Sequence, residues 1–183
     1  ILGKEFPILT GADPALIQPS APLSEIPLSD KARAVLDSSS PRIGLCISSQ
    51  SPVREMESLA GRLDHVMEKH KASLVCIPMN PITDAALMKQ FVNLLRHPER
   101  TVVLEDCFEP EWVATVAGKM DVVVSSRLHL LILASNSLTP IAGISRGSKV
   151  TNFTGAFGVP DLGSTDQLDG NRMESVLDDL LKN

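Results

Sequence analysis

The stretch VVVSSRLHLLILA, residues 122–134, decides the fold. Three consecutive valines form a short apolar run of the kind shown by strands buried on both faces. Two serines follow, and the run from Leu128 reads as an apolar helix. Arg127 and His129 therefore stand where a buried strand gives way to a buried helix. This reading places Ser126 near the N-cap and Arg127 to His129 in the first helical turn. A cation at the positive end of a helix is unfavourable by itself. The unpaired amides there favour a bound anion, so the placement of Arg127 suggests a compensating ligand.

The same strand-then-helix pattern extends in both directions. Residues 42–48 (RIGLCIS), 73–79 (SLVCIPM), 101–105 (TVVLE), 120–125 (MDVVVS) and 140–145 (PIAGIS) are short apolar runs. Between them lie amphipathic segments with helical spacing, such as Val53, Met56, Leu59, Ala60, Leu63, Val66 and Met67. Ser51 reads as the cap of that helix, with Pro52 at its first position. A second helix is capped near Thr83, and Asn80, Thr83 and Asp84 read as ordinary turn and capping residues. A terminal helix covers residues 171–183. Alternation of this kind predicts an α/β fold, a doubly wound, Rossmann-like parallel sheet with helices on both faces.

The first forty residues differ. They are rich in Pro, Ser and Ala and offer one short strand candidate, residues 7–10, and a short helix near residues 30–40. Residues 1–40 read as a linker and remnant of a preceding domain, and residues 41–183 as a C-terminal Rossmann-like domain. The chain starts at Ile1 rather than Met, which suits a piece of a longer protein.

Composition narrows the function classes. The 183 residues carry a formal net charge of -5 without any Lys/Arg block, which argues against nucleic acid as a partner. No apolar run reaches the ~18 residues of a membrane span. Cys46, Cys76 and Cys107 show no paired spacing, which suits buried, reduced thiols in a cytoplasmic protein.

In a doubly wound sheet, ligands bind at the turns after the strands' carboxyl ends. The turn after the first strand, SSQSPV, lacks a GxGxxG fingerprint. The turn after the third, EDCFEPE, is acidic and would repel an anion. Two turns are suited to anions. In the one after residue 125, Ser125 and Ser126 lead to Arg127, a planar fork that matches a carboxylate or phosphate, and His129, a proton carrier near neutral pH. In the one after residue 145, Arg146 and Lys149 flank Gly147. Structural alternatives stand beside these readings. Arg127 could pair with Asp121, Asp106 or Glu105, His129 could be a core histidine bonded to backbone, and Lys149 could be a solvated helix residue.

The segment DVVVSSRLHLLILASNSLTPIAGISRGSKVTNFTGAFGVP, residues 121–160, resembles the polysaccharide pyruvyl transferase family. The likeness rests on Ser126, the RLH triplet Arg127-Leu128-His129, Ala134, Pro140, Gly143, Lys149-Val150, Phe153 and Gly158. TGADPALI, residues 10–17, is similar to the segment that closes the family's first domain. The resemblance implies the C-terminal half of a two-domain fold like that of GT-B glycosyltransferases, with the active site between domains. It implies a cytoplasmic transferase working near the inner face of the membrane, on exopolysaccharide or another cell-surface polysaccharide, and inactive as this isolated half. The pyruvyl group of phosphoenolpyruvate, the donor substrate, would pass to two hydroxyls of a saccharide acceptor, with no cofactor and no metal. Partners would be these small molecules and the N-terminal domain.

By the same resemblance, Arg127 holds the donor's carboxylate or phosphate, His129 is the general acid/base, and Lys149 adds charge on the phosphate. Arg146, Ser125 and Ser126 complete the substrate-binding set. The sequence departs from the family at Ser48-Ser49-Gln50, where many members carry an arginine, and at Ser145-Arg146-Gly147, where an aromatic-acid pair is usual. Two other readings stay open: a GT-B donor domain for a nucleotide sugar, and a non-catalytic binding domain of the same fold.

Overall fold

The structure, a computed structural model, describes residues 13–182. The strand candidate at residues 7–10 lies outside them. Six strands are present among the described residues: β1 (Arg42–Cys46), β2 (Ser73–Cys76), β3 (Thr101–Val103), β4 (Val122–Ser125), β5 (Ile141–Ser145) and β6 (Asp161–Ser164). The helices are α1 (Asp30–Asp37), α2 (Met56–His70), α3 (Thr83–Val92), α4 (Pro110–Ala117), α5 (Leu128–Asn136), α6 (Ser148–Phe157) and α7 (Gly170–Leu180).

All strand pairs are parallel, in the order β3-β2-β1-β4-β5-β6. Apart from Arg42 at the start of β1 and Ser125 at the end of β4, the two central strands carry no polar side chain, because both of their faces are covered. Ile43 and Leu45 of β1 and Val122 and Val124 of β4 pack with Leu59, Leu63 and Met67 of α2, Phe91 of α3 and Leu177 of α7. Cys46 and Val123 face the other way, into a second core with Ala32 and Leu36 of α1, Val113 of α4 and Leu130 of α5. α5 is buried from Leu130 to Ala134, as expected of a helix apolar on all sides.

The observed order places the switch point between β1 and β4, where the chain turns outward in opposite directions. The turns after β1, β4 and β5 therefore meet at one edge of the sheet. Gly143 sets how closely α6 approaches that edge. A Cβ on Gly143 would lie 2.6 Å from Thr154 Cγ2 and 2.9 Å from Val150 Cγ1, both on α6.

Three local features differ from the sequence reading. α2 starts at Met56 rather than after Ser51, because the chain first crosses to the far strand. There Arg54 N donates to Thr165 O at 2.8 Å, and Val53 is buried. β6 was not expected at all: DLGS is a short edge strand with polar residues and no apolar run. α5 takes Arg127, not Ser126, as its N-cap, and Ser126 is fully buried. Residues 13–40 pack onto the sheet, with Ile26 buried beside α1 and α4 in the second core.

Candidate functional site

The turns after β1, β2 and β4 are tied together by one carboxylate. Asp84, in the first turn of α3, is 0% exposed. It accepts from Ser49 N at 2.9 Å, Ser49 Oγ at 3.0 Å and Asn80 N at 3.1 Å. Arg127 completes the shell: its Nε donates to Asp84 Oδ2 at 3.0 Å and its Nη2 to Oδ1 at 2.8 Å. Burial alone would raise the Asp84 carboxyl, but the Arg127 guanidinium and the Ser49 donors hold it below the usual carboxylate range.

Thus the anion demanded by a cation at the start of α5 is supplied by the protein itself. Of the sequence alternatives, the ion pair is present, but with a different acid from those considered. Asp121 pairs instead with Arg42 at 3.3 Å, and Glu105 with Lys89. Arg127 keeps 17% of its side chain exposed, and Nη1 is not used in the pair with Asp84.

The serines of the opening stretch are structural anchors. Ser126 Oγ accepts from Ser48 N at 2.8 Å, stitching the β1 turn to the β4 turn across the switch point. Ser125 Oγ accepts from Arg127 N at 2.9 Å and donates to Arg127 O at 3.0 Å, which fixes the backbone at the cap.

The β5–α6 turn contrasts with this. Arg146 is exposed and reaches over the β1 turn, where Nη1 donates to Gln50 Oε1 at 3.0 Å and Ser48 Oγ at 3.3 Å. Both partners are neutral, so a guanidinium without an acidic partner sits above Ser48-Ser49-Gln50. Lys149 is exposed and has no ion-pair or hydrogen-bond partner among the described residues. Together with Leu128, Gly147 and Ser148, Arg146 and Lys149 line a hollow of about 320 Å³ at the start of α6. A second hollow, of about 660 Å³, adjoins Arg146 and is lined by Arg54, Ser51, Thr151 and Thr165. Arg54 stands just before α2, in the segment that crosses to the far strand.

His129 is not a core residue. Its side chain is 62% exposed, with Nε2 3.6 Å from Asp13 Oδ2. It opens onto a separate groove of about 410 Å³, lined by Met79, Phe108, Pro110 and Leu133. The structure therefore brings Arg127, Ser125, Ser126 and Arg146 to one switch-point edge, and gathers Arg146 and Lys149 in one hollow. His129 lines a different hollow from Lys149. The residue that sequence reasoning missed is Asp84. Its partner lies 43 residues away, and only the strand order makes the two neighbours.

All three cysteines are buried and free, and burial pushes the Cys46 and Cys107 thiols up to about 12. No helix among the described residues is long and apolar enough to cross a membrane.

Comparison with known proteins settles the family. The sequence profile described as polysaccharide pyruvyl transferase matches residues 2–148, most of the chain and both serine-arginine turns. The chain belongs to the polysaccharide pyruvyl transferase family. The match runs to Ser148, so Lys149 falls just outside the stretch that carries the family assignment.

Among curated proteins none matches the chain. Solved structures share this chain's fold. One is an ADP-heptose LPS heptosyltransferase II of E. coli, 13% identical with a TM-score of 0.64, covering 85% of this chain and 52% of that one. Another is a Listeria monocytogenes protein described as a UDP-N-acetylglucosamine 2-epimerase, 16% identical with a TM-score of 0.66, covering 94% and 47%. A third is a UDP-GlcNAc 2-epimerase of Methanocaldococcus jannaschii, solved with UDP-GlcNAc and UDP, 10% identical with a TM-score of 0.60, covering 88% and 43%. This family member thus spans about half the length of those structures, and has the GT-B-like, doubly wound fold that the sequence predicted.

Proposed function

We propose that this chain carries the donor-binding half of a pyruvyl transferase site that takes phosphoenolpyruvate and serves a saccharide acceptor. The observation that carries this reading is the β5–α6 turn. Lys149 has no anionic partner among the described residues, Arg146 has only neutral ones, and both meet the start of α6. A phosphate seated there would meet two cations and the helix amides. Arg127 Nη1, outside the pair with Asp84, would receive the carboxylate.

The chemistry balances as follows. A proton adds to the methylene carbon of the enol, and positive charge develops on the carbon bearing the phosphate. One saccharide hydroxyl attacks that carbon, the C–O bond to phosphate breaks, and a second hydroxyl closes the ketal. Of the two hydroxyl protons, one replaces that consumed at the methyl group and the other leaves with phosphate. His129, exposed at the first turn of α5, is the proton carrier in this scheme. Fixed cations at the phosphate stabilise the charge on the leaving group. These residues call for no metal or cofactor. The remainder of the site and the saccharide-reading surface belong to a further domain, and the reaction takes place in the cytoplasm, near the membrane face.

Calorimetry of phosphoenolpyruvate with the intact protein tests this. Saturable binding is expected, weakened about tenfold or more by Lys149→Ala, the scale of a lost charge-assisted hydrogen bond. Absence of binding, or equal binding by Lys149→Ala, overturns the assignment. The likeness to sugar-nucleotide proteins favours one second reading, a nucleotide-sugar donor site. A thermal-shift screen separates the two: stabilisation by a uridine or guanosine nucleotide, and none by phosphoenolpyruvate, selects the latter.

A further inference from the structure

We infer that Asp84 is a positioning and charge-balancing residue of the anion site, holding the Arg127 fork in one orientation and cancelling its charge. The inference deepens the donor-site reading above, because it takes Arg127 to face the ligand.

The geometry is that of a bracket rather than of an ordinary helix cap. Asp84 is fully buried, yet its two oxygens accept five hydrogen bonds from the turns after β1, β2 and β4. Both oxygens receive the Arg127 fork, the planar arrangement that sets orientation as well as distance. An arginine left free at this edge would sweep several rotamers and lose entropy on each binding event. Held through Nε and Nη2, it offers Nη1 from a fixed position, and that is pre-organisation.

The charge arithmetic has a second consequence. With Asp84 ionised, the pair with Arg127 is neutral, and the positive charge of the β5–α6 turn comes from Arg146 and Lys149, while Arg54 and Asp166 offset each other across the adjoining hollow. At this edge, a small anion attracted by charge is then drawn to the β5–α6 turn rather than to Arg127. Removing the Asp84 charge without changing its shape leaves Arg127 uncancelled. Inorganic phosphate, the product of the proposed reaction, would then bind more tightly. A purely structural role for Asp84 predicts the opposite, since a loosened edge binds anions less well.

The experiment uses the intact protein and inorganic phosphate as the probe, at low ionic strength and neutral pH. Asp84→Asn is expected to tighten phosphate binding by about threefold or more, the scale of one uncancelled neighbouring charge in a watery medium. The gain should vanish in the double variant Asp84→Asn/Arg127→Gln. Equal or weaker phosphate binding by folded Asp84→Asn overturns the inference, as does a gain that persists without Arg127. A second measurement needs no substitution and covers the case in which Asp84→Asn does not fold. In nitrogen-labelled wild-type protein, the Arg127 Nε–H should exchange slowly with and without phosphate. Exchange as fast as that of a free arginine side chain overturns the assignment. The donor-site reading stands or falls separately, on whether wild-type protein binds phosphoenolpyruvate.

Discussion

Two turns at the same sheet edge use their cations in opposite ways. After β4, Arg127 is mostly covered and paired with a buried carboxylate, and its neighbours Ser125 and Ser126 are spent on backbone amides. After β5, Arg146 and Lys149 are exposed, and neither meets an acid. A cation at a helix start is an unsolved electrostatic problem until something negative arrives. At the first turn the protein supplies that group itself, and at the second it supplies no acid, which is what the proposed donor site requires. A site built this way has one rigid wall and one open one.

The sharpest way to break this comparison is to remove the acid from the rigid wall. Asp84→Ala strands the Arg127 guanidinium beside a cavity, and the stability loss in urea unfolding should be about 3–5 kcal/mol, as for other broken buried pairs. A loss below about 1 kcal/mol would place Asp84 with ordinary surface acids. Gly143→Ala probes the support of the open wall. Its new methyl would press on Thr154 and Val150 of α6, costing about 1–3 kcal/mol in the same assay.

Acid titration gives a smaller effect with a definite sign. The folded pKa of Asp84 lies below its ordinary value of 3.8, so its stabilising contribution is complete above that value. It is lost as pH falls through the folded pKa. Asp178, held low first by Lys69 and then by His70, adds to the same acid limb. Stability should therefore drop below about pH 4, and the drop should be shallower in Asp84→Asn. Lys149→Ala should do least of all, changing stability by no more than about 0.5 kcal/mol in urea unfolding, because the side chain is exposed and unpaired.

The elements that sequence resolved are those whose burial shows in composition. β1, β2, β4 and β5 are apolar between their end residues, and α5 is buried from Leu130 to Ala134, so their existence follows from the residues themselves. β6 escaped because an edge strand of four residues, two of them Asp161 and Gly163, carries no apolar signal. The start of α2 was misread because Ser51-Pro52 has the chemistry of a helix cap. A contact between Arg54 and Thr165, distant in sequence, decides otherwise. The candidate site follows the same rule. The cations Arg127, Arg146 and Lys149 were visible as residue types at strand ends. Asp84 passed as a turn residue, because its bond to Arg127 is created by the order β3-β2-β1-β4 and leaves no local trace.

The division of labour between the two turns is most directly tested by titrating phosphoenolpyruvate into nitrogen-labelled intact protein and following the backbone amides. Saturable shifts are expected at Gly147, Ser148 and Lys149, larger than those at Ser48 and Ser126. Saturable shifts centred on Ser48 and Ser126, or no shift at the start of α6, would contradict it.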